Sequence, residues 1–195
     1  MWIFELMRSV LFEIIPKILG LIITALIMRA EGGPMLHSAT LALKIIIMLA
    51  RARKGEVYDF SEIKQPEVKL QGKVIQLLDM TEAEIKIVNL NKGQIARVDA
   101  YKTKIEQFDC RDTVINIMDL SDSKIDVLDI SRASINLLDA HRAEIKTLNM
   151  VDAHILNLDL SESTIHNIVG RDSAKVYIDV GWRAKIIRLT NKAKV

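Results

Sequence analysis

SDSKIDVLDI (121–130), SRASINLLDA (131–140), HRAEIKTLNM (141–150) and VDAHILNLDL (151–160) are four consecutive tens with one pattern. Each has Ile at its fifth place, an aliphatic at its eighth and Asp or Asn at its ninth. Working outward, the fifth-place isoleucines run without a gap from Ile75 through Ile165 and stop at Lys175. The eighth place is apolar from Leu78 to Ile178. Self-similarity at a fixed short period is the mark of a repeat architecture in which each unit buries its apolar side against its neighbours.

A ten-residue period wraps around an α-helix as a drifting stripe. These tens are instead rich in β-branched residues, with Ser, Thr, Asp and Asn between them, which favours short strands joined by tight turns. Each ten divides into two fives, as in Ala-Ser-Ile-Asn-Leu then Leu-Asp-Ala-His-Arg over 133–142, with apolar or small residues first and third. Small residues open alternate fives: Ala83, Gly93, Thr103, Thr113, Ser123, Ala133, Ala143, Ala153 and Ser163. The intervening fives open on Leu, Val, Met or Phe, so two kinds of corner are expected to alternate.

Over about 68–180 the chain resembles the pentapeptide-repeat family, whose fives read small residue, Asp or Asn, large apolar residue, then two polar ones. The resemblance implies a right-handed, four-sided β-helix (a quadrilateral β-solenoid) with about twenty residues per coil and the third residue of each five on the axis. Ten residues are too few to enclose a core, which argues for twenty; a three-sided coil of thirty is the alternative. At about 4.8 Å between stacked strands, twenty per coil gives roughly five and a half coils and a rod of about 26 Å. Residues 55–67 are expected to form a linker or N-cap, with Pro66 blocking ladder continuation, and 181–195 a basic C-terminal cap.

Composition removes several classes of function. Half of the 195 residues are apolar and 27% charged, so disorder is not expected, and aromatics at 5% leave little for base-stacking platforms. The single Cys110 closes no intrachain disulfide and builds no cysteine zinc site; its place, shared with Leu90, Ile130 and Met150, makes it a core filler. His37, His141, His154 and His166 have no metal-site spacing, and no nucleophile elbow, dinucleotide fingerprint or P-loop is present. No catalytic, cofactor or metal site is therefore expected, nor a nucleic-acid partner. Net charge is about +2 over 1–60, −5 over 61–180 and +5 over 181–195, so the basic tail suits either an anionic membrane or the acidic body before it.

Two surface features are candidates for function. At twenty per coil the ninth-place acids stack as a ladder of Asp79, Asp99, Asp119, Asp139, Asp159 and Asp179, facing away from a second row of Asn89, Asp109, Asp129, Asn149 and Val169. Carboxylates at about 5 Å spacing could gather divalent cations, or each could accept backbone N–H bonds and bend its own turn. The seventh place carries Leu77, Ile87, Ile117, Val127, Leu137 and Tyr177 among Arg97, Gln107, Thr147, Asn157 and Asn167. If the first and third residues of each five fill the axis, these aliphatics form an exposed contact stripe; longer strands would instead turn them partly inward.

Residues 2–28 are nearly all apolar, RAEGGP turns the chain, and a second apolar run covers 35–54, which reads as a helical hairpin over 1–54. One polar seam runs along each helix, through Glu5, Ser9, Glu13 and Lys17 in the first and His37, Thr40, Lys44 and Arg51 in the second. Charge-free windows of 18–28 and 32–43 fall short of a clean span, yet pairing the seams would leave an apolar exterior for lipid. The alternative is a soluble cap or oligomerisation bundle. If the hairpin embeds, the basic cluster Arg51, Arg53 and Lys54 places the solenoid on the cytoplasmic side. The reading for the whole chain is a non-enzymatic, membrane-associated scaffold whose solenoid binds itself, as a homo-oligomer, or another protein. The alternative is a soluble pentapeptide-repeat protein that imitates duplex DNA to bind a topoisomerase.

Overall fold

The computed structural model describes residues 55–179, 185–186 and 189–190. The expected hairpin of 1–54, with Arg51, Arg53 and Lys54, lies outside the described residues. Among the described residues no helix is long and apolar enough to cross a membrane.

The described residues form a β-solenoid of about six turns. Its strands are β1 (Glu56–Asp59), β2 (Lys64–Lys69), β3 (Val74–Asp79), β4 (Glu84–Asn89), β5 (Gln94–Asp99), β6 (Lys104–Asp109), β7 (Val114–Asp119) and β8 (Lys124–Asp129). They continue as β9 (Ser134–Asp139), β10 (Glu144–Asn149), β11 (His154–Asp159), β12 (Thr164–Val169), β13 (Lys175–Asp179), β14 (Lys185–Ile186) and β15 (Leu189–Thr190). Odd strands from β1 to β13 stack as one parallel sheet; even strands from β2 to β14, with β15, make the other. Ile75 pairs with Ile95 and Ile85 with Ile105, so one coil is twenty residues and the thirty-residue alternative is excluded.

Numbering each ten by its last digit, the buried places are three, five, eight and ten, the expected inward set. Ile135, Leu138, Ala133 and Ala140 are all fully buried. Five and eight are three apart, which a flat strand of period two cannot turn to one side. The ladders pair places four, five, seven, eight and nine and pass over place six, where the strand departs from simple alternation so that six and seven both face outward. Core volume is balanced within a coil: Phe108, the largest fully buried side chain, belongs to the coil that carries only Ala100 and Cys110 at place ten.

Between strands the N–H of place three donates to the carbonyl of place ten, as from Ala83 to Met80 at 3.0 Å, closing a four-residue turn. Place two takes φ between 54° and 59° in ten non-glycine residues, Glu62 through Glu162, and 69° in Gly72. No β-branched residue occupies it, since branching at Cβ is poorly tolerated in the left-handed region. From Ala83 to Ser163 place three is small because its Cβ sits on the turn: a Cβ at Gly93 would lie 2.8 Å from the Leu90 carbonyl oxygen. Thr103 and Ser163 donate their hydroxyls to the place-ten carbonyls of Ala100 and Leu160, both at 2.6 Å, whereas the buried Ser123 hydroxyl makes no such bond.

The repeat is longer at both ends than its isoleucines suggest. β1 and most of β2 lie within the expected linker and N-cap and pair with β3 and β4, the β1 register shifting once between Glu56 and Val57, with Tyr58, Phe60 and Ile63 packed on the core. Pro66 sits at place six of β2, the end strand of its sheet among the described residues. After Gly170 one extra residue enters the turn, closed by Ala174 N–H on the Gly170 carbonyl. The register shifts to twenty-one: Val176 pairs with Ile155, Ile186 with Ile165 and Leu189 with Ile168. The break at Lys175 is therefore an insertion, and the period resumes into the tail.

Ile135→Asp places an unpaired carboxylate at a fully buried site between Ile115 and Ile155. A loss of several kcal/mol is expected, read as a collapse of the thermal transition, with Asn136→Asp on the outer side as a mild control.

Candidate functional site

The place-nine acids stack as the sequence suggests, with two corrections. Asp79, Asp99, Asp119, Asp139 and Asp159 pair in sequence along the odd sheet, and Asp59, missed by the sequence reading, extends the row beyond Asp79. Asp179 is not in the row: the insertion shifts it opposite Leu158.

These carboxylates are occupied with their own turns. Oδ1 of the place-nine residue accepts the backbone N–H of place one, from Thr81 to Asp79 at 2.9 Å, His141 to Asp139 at 2.9 Å and Ser161 to Asp159 at 2.8 Å. The even row does the same, with Ser131 on Asp129 at 2.9 Å and Asn91 on Asn89 at 3.1 Å. Asn serves as well as Asp because the bond needs an acceptor oxygen, not a charge. Asp99 instead holds Arg97 Nε at 2.6 Å. Among the described residues no three His, Cys, Asp or Glu side chains converge as a metal group.

Charge is instead organised along the stack. At place two of one turn column the sequence runs Glu62, Glu82, Lys102, Asp122, Arg142, Glu162; in the other it runs Lys92, Asp112, Arg132, Asp152. Arg132 binds Asp112 through Nε at 2.8 Å and Nη2 at 2.9 Å, and Arg142 binds Asp122 at 2.7 and 2.6 Å. The guanidiniums hold both aspartates below the usual carboxylate range. On the even sheet the place-four row runs Lys64, Glu84, Lys104, Lys124, Glu144, with Glu84 held between Lys104 at 2.7 Å and Lys64 at 2.8 Å. The two ammoniums lower Glu84 to about 2. These period-twenty charge relations are readable in the sequence only once the coil length is known.

A groove of about 590 Å³ runs across this even sheet, walled by Lys64, Glu84, Lys86, Lys104, Glu106 and Asp126. Lys124 completes its charged wall, and Glu84 pairs across coils with Lys64 and Lys104.

The seventh-place residues divide between opposite sheets. Leu77, Ile117 and Leu137 are half-buried on the odd sheet, in one row with Val57, Arg97 and Asn157. Ile87 and Val127 are exposed on the even sheet, alternating with Gln107 and Thr147. Tyr177 belongs to neither row, because the inserted residue moves it opposite the place-six Leu156. The aliphatics of the odd row are thus half-buried and those of the even row exposed, and they do not form one stripe.

Cys110 is fully buried, as expected of a core filler, and burial raises its thiol well above the ordinary range. Comparison with family models, curated proteins and solved structures returns no match.

If the Asp row is turn chemistry, Asp119→Asn retains the acceptor and relieves repulsion from Asp99 and Asp139, so its melting temperature should equal or exceed that of the parent. Asp119→Ala should lose about 1 kcal/mol, and calcium should shift neither. Acid should act through the cross-coil pairs. Glu84, Asp112 and Asp122 have lowered pKa values, so their contribution is present above about pH 4.5 and fades as pH falls toward about 2. Denaturant midpoints should stay flat from neutrality to that point and then drop, less steeply in Glu84→Gln and in high salt.

Proposed function

We propose that the protein is a non-enzymatic, membrane-associated scaffold in which the solenoid is a rigid protein-interaction module. The observation that carries this reading is the use of the repeat's conspicuous acids: they are acceptors for their own turns or partners in cross-coil ion pairs. Chemistry spent on stiffening a platform leaves the outer sheet faces as the functional surface. The apolar run of 2–28, the second over 35–54 and the Arg51, Arg53, Lys54 cluster support attachment to a membrane with the solenoid on the cytoplasmic side.

The finer architecture belongs to the same proposal. Inward residues at the first and third positions of each five, and small residues confined to one corner type, fit a right-handed quadrilateral coil of the pentapeptide-repeat kind. The DNA-imitating alternative draws on the Asp row from Asp59 to Asp159. It ranks lower because Lys64, Lys104, Arg132 and Arg142 sit between the acids elsewhere and break up a continuous negative surface.

Fractionation of cells expressing the full chain tests the attachment. The protein should sediment with membranes, resist high-salt and carbonate washing, and require detergent for release, whereas deletion of 1–54 should move it to the supernatant. Release of the intact chain by salt alone overturns the membrane reading.

A further inference from the structure

The two outer faces of the solenoid differ in kind. Places four, six and seven of β3, β5, β7, β9 and β11 hold fifteen residues, of which Ser134 and Leu156 are buried; Arg97 is the single Lys, Arg, Asp or Glu among them, and it is bound to Asp99 of its own strand. The same places in β4, β6, β8, β10 and β12 present eight such charged residues. The backbone, the coil length and the turns are common to both, so nothing in building a coil requires this asymmetry. Stacking leaves the odd face low and flat: Asn136 Nδ2 donates to Asn116 Oδ1 at 3.0 Å along the stack, and Leu77, Ile117 and Leu137 are half-buried between neighbours. A broad parallel sheet with a nearly uncharged, aliphatic and amide outer surface is unusual on a side facing water.

We infer that this odd-sheet face pairs with the same face of a second copy of the chain, sheet against sheet. The inference rests on reading the solenoid as an interaction module and not on its membrane attachment. Charge selects the occupant. The Asp row fringes the face along place nine, which disfavours an anionic lipid surface or a nucleic acid, while the neutral centre offers no complement to a charged peptide.

Charge also selects the symmetry. A two-fold axis along the strands would set the Asp row of one copy over the Asp row of the other. An axis along the solenoid reverses strand direction across the interface, so place nine faces place four and place six faces place seven. Arg97 then faces Ala96, the smallest residue of its row, Leu137 faces Asn136, and Ile117 faces Asn116. The area is of the right order: five strands at about 4.8 Å by about 20 Å give a footprint of roughly 500 Å² per partner before corrugation, against the roughly 800 Å² of accessible surface of a standard interface. The axis is closed, so the product is a dimer and not a filament.

The test uses full-length chain in native membranes or detergent and a short thiol cross-linker. Native Cys110 is buried and stays silent. Ile117→Cys on the odd face and Gln107→Cys at the same place of the even face are compared. Ile117→Cys should give covalent dimer roughly tenfold faster, because paired faces hold the two thiols at high effective concentration. Adding Leu137→Lys to Ile117→Cys should abolish the dimer while the melting temperature, measured in parallel, stays close to the parent's. Equal cross-linking from both faces, no dimer from Ile117→Cys, adducts only to a different protein, protection of the introduced thiol without a dimer, or a dimer indifferent to Leu137→Lys would each overturn the proposal. A chain that leaves membranes in salt but still cross-links through position 117 would remove the membrane reading alone.

Discussion

The register of one coil on the next, twenty residues later, is the constraint on which everything else in this molecule depends. Ile75 lies on Ile95, Ile95 on Ile115, and so on to Ile155, so each isoleucine is buried only because its equivalents are present above and below. No coil is a folding unit by itself; burial and backbone pairing are shared between nearest neighbours. The same dependence explains why one extra residue after Gly170 is tolerated. It is absorbed in a turn, and Val176 regains the inward position one number late.

Aliphatic stacking alone does not choose among registers, because a slip by one whole coil leaves isoleucine on isoleucine. Turn geometry and charge narrow that choice. Asp or Asn at place nine fixes where each strand ends, and the left-handed residue at place two tolerates many unbranched side chains. Place two then carries acids and bases that alternate up the stack. A slip by one coil would set Arg132 against Lys92 in place of Asp112, and Asp122 against Glu82 in place of Lys102. Exposed pairs of this kind add little stability one at a time, and their value is in penalising wrong pairings.

A solenoid built this way is stiff and has two broad faces. One is laced with cross-coil ion pairs, and the other, inside its fringe of Asp residues, carries only Arg97 over β3 to β11. In the proposed dimer this second face would be the one offered to a partner copy, in the symmetry that avoids facing Asp rows.

The β-solenoid class, the inward places three, five, eight and ten, and the core role of Cys110 were legible in the sequence, because burial in a repeat recurs at fixed spacing and ten copies average out the exceptions. The Asp row was legible as a row, since Asp79 through Asp159 share a place, but its use was not: an acid can hold a cation or its own backbone, and only the bond from Thr81 N–H to Asp79 decides. Coil length, and with it every cross-coil relation, also had to come from the tertiary structure. Twenty and thirty residues both repeat the tens, and only the pairing of Ile75 with Ile95 separates them. From that single fact follow the division of the seventh-place residues between two sheets, the removal of Tyr177 and Asp179 from their expected rows, the alternating charges at the turns and the uncharged odd face. Each concerns residues twenty or twenty-one apart, which are neighbours only because the chain closes its coil at that length.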